Sequence, residues 1–158
     1  MAVKVSNKEH PRLNLPPAAL RLKEANGQLM VFDILRLRWL VCLPEEWVRQ
    51  HWIHYLMNTL NYPRGLIAQE YDIPHHRSLR RADIVTFSRD MKPYLLIECK
   101  APHVPLNQAV ADQAAVYNTH LQAPYMAVSN GLLHLCAQMN NDLKGYTFLD
   151  NVPRFPGS

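Results

Sequence analysis

The chain has 158 residues, 48% hydrophobic and 19% charged, which fits one compact domain with a core of its own. No stretch approaches the ~18 uninterrupted apolar residues of a membrane span, and the opening MAVKVSNKEH lacks a signal-peptide core, so no membrane association and a cytoplasmic location are expected. A formal charge of +4 is compatible with a polyanionic partner, and the three widely spaced cysteines, Cys42, Cys99 and Cys136, argue against a disulfide framework or a CxxC zinc site.

Residues 1–19 are rich in proline and polar groups without periodicity, which predicts an arm laid over the surface or partly disordered. Residues 20–150 are expected to form the domain and 151–158 a tail. The stretch LRLKEANGQLMVFDILRLRWLV alternates apolar and polar residues on both sides of Asn26-Gly27. A type I′ turn needs positive φ at two residues, which Asn-Gly supplies cheaply, so this is a β-hairpin signal.

A helix over about 44–60 follows. Pro44 suits the first turn, where its missing N–H is no loss, and Glu45 and Glu46 suit the positive end of the helix dipole. Val48, Trp52, Leu56 and Leu60 recur every turn, widened by Trp47, Ile53 and Tyr55, so the helix should lie against a sheet. Asn61 and Pro63 end it. Residues 65–73, 81–88 and the run PYLLIECK predict three strands, the last two paired through 89–93. The segment 107–121 places Val110, Ala114, Tyr117 and Leu121 at helical spacing. Finally, YMAVSNG and LHLCAQM read as strands joined through Asn130-Gly131. Strands, a helix, then more strands predict an α/β fold with a mixed sheet flanked by helices and an N-terminal β-hairpin.

Two carboxylates interrupt apolar faces in this scheme. Alternation puts Leu96, Glu98 and Lys100 on one side of their strand, and Asp83 on the side of Val85 and Phe87. A buried, unpaired carboxylate typically costs several kcal/mol, and a second one beside it raises the cost. A divalent cation would relieve it: two carboxylates, a backbone carbonyl near Cys99 and several waters form a hard-oxygen set that Mg²⁺ accepts. The bland alternative is ordinary ion pairing with Arg81 and Lys100.

Asp83 followed by Glu98-Cys99-Lys100 at the end of an apolar strand resembles the PD-(D/E)XK nuclease superfamily. Gln113 and Tyr117, in the form Q-x-x-x-Y, resemble the extra motif of its RecB-like and type I restriction branches. The stretches FDILRLRWLVCLPEEWVRQ and SNG look more particularly like the N-terminal domain of type I restriction enzyme R subunits, and the resemblance runs roughly from Leu20 to Met139. Ala82 stands where the superfamily pattern has proline, and Leu43 is a poor helix N-cap.

The resemblance implies a restriction-endonuclease-like fold and hydrolysis of DNA phosphodiester bonds with Mg²⁺ or Mn²⁺. Asp83, Glu98 and the Cys99 carbonyl would hold the ion, which polarises the phosphate and lowers the pKa of a bound water. Lys100 would contact the attacking water or the developing charge, by electrostatic positioning and not as a base, since a neighbouring carboxylate favours its charged form. Gln113 would orient water or phosphate, with Tyr117 buttressing it. Secondary candidates are Glu46 as an outer-sphere carboxylate and Arg49 as a phosphate contact, against a capping or surface role for both. Arg81 closes RSLRR at 77–81, which reads equally as a solvated edge or a phosphate-tracking patch.

His51, His54 and the pair His75-His76, expected in a loop, lack any HExxH context and read as core or surface histidines. Trp47, Trp52 and Tyr55 read as core and not as base-stacking platforms. Two functional classes remain: a metal-dependent endonuclease module, or a nucleic-acid-binding or assembly module that keeps the fold without turnover. A costly acidic pair favours the first. The chain contains no G-x-x-x-x-G-K-[ST] phosphate loop, so any motor or specificity partner is expected to be a separate protein.

Overall fold

The computed structural model describes residues 10–75 and 78–157. The start of the arm (1–9), residue 158, and His76 and Arg77 lie outside the described residues.

A small antiparallel sheet comes first, with strands β1 (Leu22–Ala25), β2 (Gln28–Asp33) and β3 (Arg38–Val41) in that order. Asn26 and Gly27 have φ of 51° and 73°, the two positive values the expected turn requires. The hairpin gains a third strand because Asp33 turns the chain back: its Oδ1 accepts the N–H groups of Leu35 and Arg36, both at 2.9 Å. Leu29, Val31 and Cys42 form a core beneath this sheet.

Helix α1 (Pro44–Asn58) begins after Leu43, which supplies no side-chain cap, so Pro44 and the acidic first turn start it instead. Val48, Trp52, Ile53 and Leu56 are fully buried against Leu95, Ile97, Ala127 and Cys136 on one face of the main sheet. Burying each such side chain contributes about 1.5–3 kcal/mol. Asn61, at φ 62°, makes the expected stop.

The main sheet has six strands in the order β4 (Ile67–His75), β5 (Ser78–Phe87), β6 (Pro93–Cys99), β7 (Tyr125–Ser129), β8 (His134–Met139) and β9 (Tyr146–Leu149). Neighbours are antiparallel except β6 and β7, which run parallel with helix α2 (Gln108–Leu121) as their crossover. Asn107 caps α2 by accepting from the Val110 N–H at 3.1 Å. Ala114, Ala115 and Leu121 of α2 pack on Val85, Leu96, Met126 and Val128, on the face opposite α1. The mixed, helix-flanked α/β architecture is therefore the one expected. Two details differ. Strands β4 and β5 pair as far as His75↔Ser78, so His75 belongs to a strand and not a loop. Strand β9 had no sequence signal strong enough to predict it.

Both ends of the described chain join this core. Leu13 is buried, and the Asn14 N–H donates to the Gly131 carbonyl at 2.7 Å. Gly131 sits at φ +85°, which L side chains rarely adopt, and a Cβ there would lie 2.6 Å from Leu13 Cδ2, so Leu13 would have to shift. Val152 and Phe155 are buried beside Leu60 and Tyr62. The three cysteines are buried thiols. Among the described residues no helix is long and apolar enough to cross a membrane.

Candidate active site

Strand β6 delivers the first carboxylate as alternation requires. Leu95, Ile97 and Cys99 face α1, Leu96 faces α2, and Glu98 lies on the α2 side with 6% exposure. The β5–β6 ladder has its last assigned pair at Ile84↔Ile97. Beyond it the Cys99 N–H donates to Asp83 Oδ2 at 2.8 Å, so a side chain takes over from the neighbouring backbone where the strands part. The Asp83 and Glu98 carboxyl groups are hydrogen-bonded to each other. Burial first, then the Asp83 charge, pushes the Glu98 pKa up to about 8, although Arg80 and Lys100 pull it back.

Lys100 lies just past β6, but its N–H still donates to the Ser129 carbonyl at 2.7 Å, which prolongs the course of the strand. Its side chain consequently lines a narrow cleft with Glu98, Arg80 and Gln113, floored by Val128 and Ala114. Gln113 is exposed on α2, and Tyr117 follows one turn later, half-buried. Asp83, Glu98, Lys100, Gln113 and Tyr117 are thus gathered at one end of the sheet.

Arg81 is not brought there. It is 70% exposed and pairs with Asp72 at 3.3 Å. The cause is a slip in alternation: Ala82 and Val85 both face α2 while Ile84 faces α1. The slip falls at Asp83, beside Glu70 of β4, which has φ 47° between the pairs Gln69↔Ile84 and Tyr71↔Ala82. Strict period-2 counting therefore selects the wrong arginine. Arg80 is delivered instead, its guanidinium carbon 3.3 Å from the centroid of the Tyr117 ring.

Helix α1 meets the site from the other face. Glu46 is turned into a network, paired with Arg49 at 3.1 Å and accepting from Gln50 Nε2 at 2.9 Å. Glu45 is the first-turn carboxylate that senses the site: burial and then the Asp83 charge raise its pKa, opposed by Arg49 and Lys100. Burial opposes the charge on Arg49, but Glu46, Asp83 and Glu70 outweigh it and its pKa rises. Arg49 Nε is buried without a hydrogen-bond partner among the described residues. The sequence marks Arg80 only as part of the 77–81 run and Glu45 only as a first-turn acid, each one position from a singled-out candidate.

His51 and His54 are buried, and burial lowers the pKa of both, in keeping with neutral core histidines. A larger cavity of about 440 Å³ lies between the arm and α1, lined by His10, Trp47, His51 and several prolines. No carboxylate lines it, and it is remote in character from the acidic cleft.

Among the described residues no group of three or more His, Cys, Asp or Glu side chains is arranged to hold a metal ion. Glu98 lines the cleft, and Asp83 adjoins it through the hydrogen bond to Glu98. Mg²⁺ characteristically takes one or two carboxylates and keeps several waters, so the donor set fits it, and a cation would offset both the burial and the Asp83 charge that raise Glu98.

A mixed sheet covered by helices on both faces, with an acidic pair where two strands part and cations beside it, defines an α/β domain with a charged cleft. The chain belongs to the family described as type I restriction enzyme R protein N terminus (HSDR_N), whose model matches residues 44–153. It is also similar to a solved structure described as an HsdR subunit fragment of a type I restriction enzyme from Vibrio vulnificus YJ016, at 22% identity and a TM-score of 0.41. That match covers 56% of this chain and 19% of the other, so this chain corresponds to about a fifth of that one. No curated protein matches.

Proposed function

We propose that this chain is a metal-dependent DNA endonuclease module of the PD-(D/E)XK type, with a restriction-endonuclease-like fold. The observation that carries the reading is the hydrogen-bonded pair Asp83 and Glu98 with Lys100 lining the cleft beside Glu98, where burial first and then Asp83 push the Glu98 pKa up to about 8. Family membership supports a restriction-related role.

Asp83 and Glu98, with the Cys99 carbonyl, would hold Mg²⁺ or Mn²⁺. When bound, the ion would supply Lewis-acid polarisation of a phosphate oxygen. The Cys99 N–H fixes one Asp83 oxygen, so the carboxylate is oriented before any ligand arrives. Lys100 would place positive charge on the attacking water or on the negative charge that develops at phosphorus. Gln113, able to donate and accept at once, would orient water or a phosphate oxygen, with Tyr117 steadying its surroundings. Arg80, which lines the cleft, would meet a further phosphate oxygen. DNA is the partner, and motor or specificity functions would be supplied from outside these residues.

The test is incubation of the purified protein with plasmid, linear and branched DNA in Mg²⁺ or Mn²⁺, beside Lys100→Ala. Cutting by the wild type that is lost in Lys100→Ala is the expected result. Cutting that persists in the variant, or none from the wild type with any substrate, would defeat the reading.

A further inference from the structure

The outer face of the small sheet is built unlike an ordinary solvated face. Alternation sends Leu22, Leu29, Val31 and Leu40 inward, and Lys23, Met30, Phe32, Trp39 and Val41 outward. Arg21 joins the outer set just before β1, where its carbonyl accepts from the Phe32 N–H at 2.9 Å. Among the described residues none of Met30, Phe32, Trp39 and Val41 belongs to a hydrophobic core cluster. Phe32 and Trp39, directly paired across β2 and β3, are half-buried and meet edge to face with centroids 5.4 Å apart.

Two cations are set on these rings. The Arg21 guanidinium lies 4.3 Å from the Phe32 centroid and 5.5 Å from that of Trp39, and Lys23 Nζ lies 4.2 Å from Trp39. The strand carboxylates, Glu24 and Asp33, fall on the inner side by the same alternation. The outward face therefore carries positive charge over aromatic surface, with no strand carboxylate to neutralise it.

We propose that this face is a binding platform for single-stranded nucleic acid, separate from the acidic cleft. Arg21 and Lys23 engage the phosphates, and bases stack on Trp39 and Phe32, which accept any base because every base has a π-face. On binding, the long Arg21 and Lys23 side chains swing off the ring faces to the phosphates, and bases take their place on the rings. A polyanion without bases would satisfy only half of this surface, and a neutral apolar partner would leave two charges unanswered. The proposal stands on the small sheet alone and does not depend on catalysis.

The experiment measures fluorescence anisotropy of a labelled oligothymidylate of roughly a dozen nucleotides, with the full chain in EDTA so that cleavage plays no part. Heparin serves as the polyanion without bases, and melting temperature checks folding. Arg21→Gln/Lys23→Gln should weaken both ligands by roughly tenfold or more and flatten the salt dependence. Trp39→Leu should weaken oligothymidylate by roughly tenfold and leave heparin binding unchanged. In the wild type, oligothymidylate should quench a component of tryptophan emission that is missing from Trp39→Phe, a variant that keeps the ring and its affinity. Unchanged oligothymidylate affinity in Arg21→Gln/Lys23→Gln, equal loss of both ligands in Trp39→Leu, or quenching that survives in Trp39→Phe would each overturn the platform. Loss of DNA cutting with intact oligothymidylate binding would bear on the cleft alone.

Discussion

The Arg80 guanidinium rests on the face of the Tyr117 ring, 3.3 Å from its centroid, and so reaches the cleft beside Glu98 from an aromatic seat. The ring face, not the hydroxyl, holds the cation. Tyr117→Phe should therefore retain nearly full DNA cleavage, while Tyr117→Leu lowers kcat/KM by roughly 3- to 30-fold, the range expected for one cation–π contact. Equal kinetics in the two variants would show that Tyr117 does not position Arg80.

Glu98 also makes a pH prediction for the metal-free protein. Its folded pKa of about 8 exceeds the ordinary 4.5, so between those values the folded state binds more protons than the unfolded. Stability is then highest below about pH 4.5 with respect to this group, declines as pH rises, and levels off above about pH 8. Urea titrations from pH 5 upward should show that decline in the wild type and little of it in Glu98→Gln.

The same ionisation governs the metal. Mg²⁺ or Mn²⁺ should raise the melting temperature by mass action, and more strongly as pH approaches 8 and the carboxylate deprotonates. Asp83→Asn/Glu98→Gln should abolish the effect. Equal divalent affinity of wild type and double variant in calorimetric titration would remove the proposed centre.

Gln113 is exposed on α2 and lines the cleft, so its removal exposes no cavity. Gln113→Ala should lower turnover by roughly 10- to 100-fold, as loss of one positioned polar contact does, with melting temperature and metal affinity nearly unchanged. Full activity in that variant would make Gln113 an ordinary surface residue.

Asp33 is fully buried and joins three elements: it accepts from Gln50 of α1 at 3.1 Å, from Gln69 of β4 at 2.8 and 2.9 Å, and from Arg36 Nε at 3.0 Å. Asp33→Ala would strand these donors at a cost of about 2–4 kcal/mol, discounted because Arg36 is partly exposed. Asp33→Asn, which keeps one acceptor oxygen, should lose less. Urea denaturation measures both, and a loss under about 1 kcal/mol for Asp33→Ala would contradict the network.

Where a residue's environment followed from local periodicity, the sequence was informative. The run from Leu95 to Lys100 alternates cleanly because both faces of β6 are covered, and Gln113 and Tyr117 share a helix side by spacing alone. What escaped were features set by long-range geometry. The alternation slip at Asp83, which exchanges Arg80 for Arg81, is tied to an irregularity in the neighbouring strand at Glu70. The choice of Glu45 over Glu46 depends on how α1 is rotated against β5. The three-element role of Asp33 was invisible because Gln50 and Gln69 reach it only after the sheets and helix have packed.

The segment shared with relatives starts at Pro44, yet what folds here is larger. Leu13 packs beside Gly131, and Asp33 supplies the acceptors for Gln50 and Gln69. Residues 10–43 thus serve as an intramolecular scaffold for the part recognised by homology. A fragment cut at that boundary would inherit the carboxylates of the cleft without the clasp that holds the helix and sheet around them.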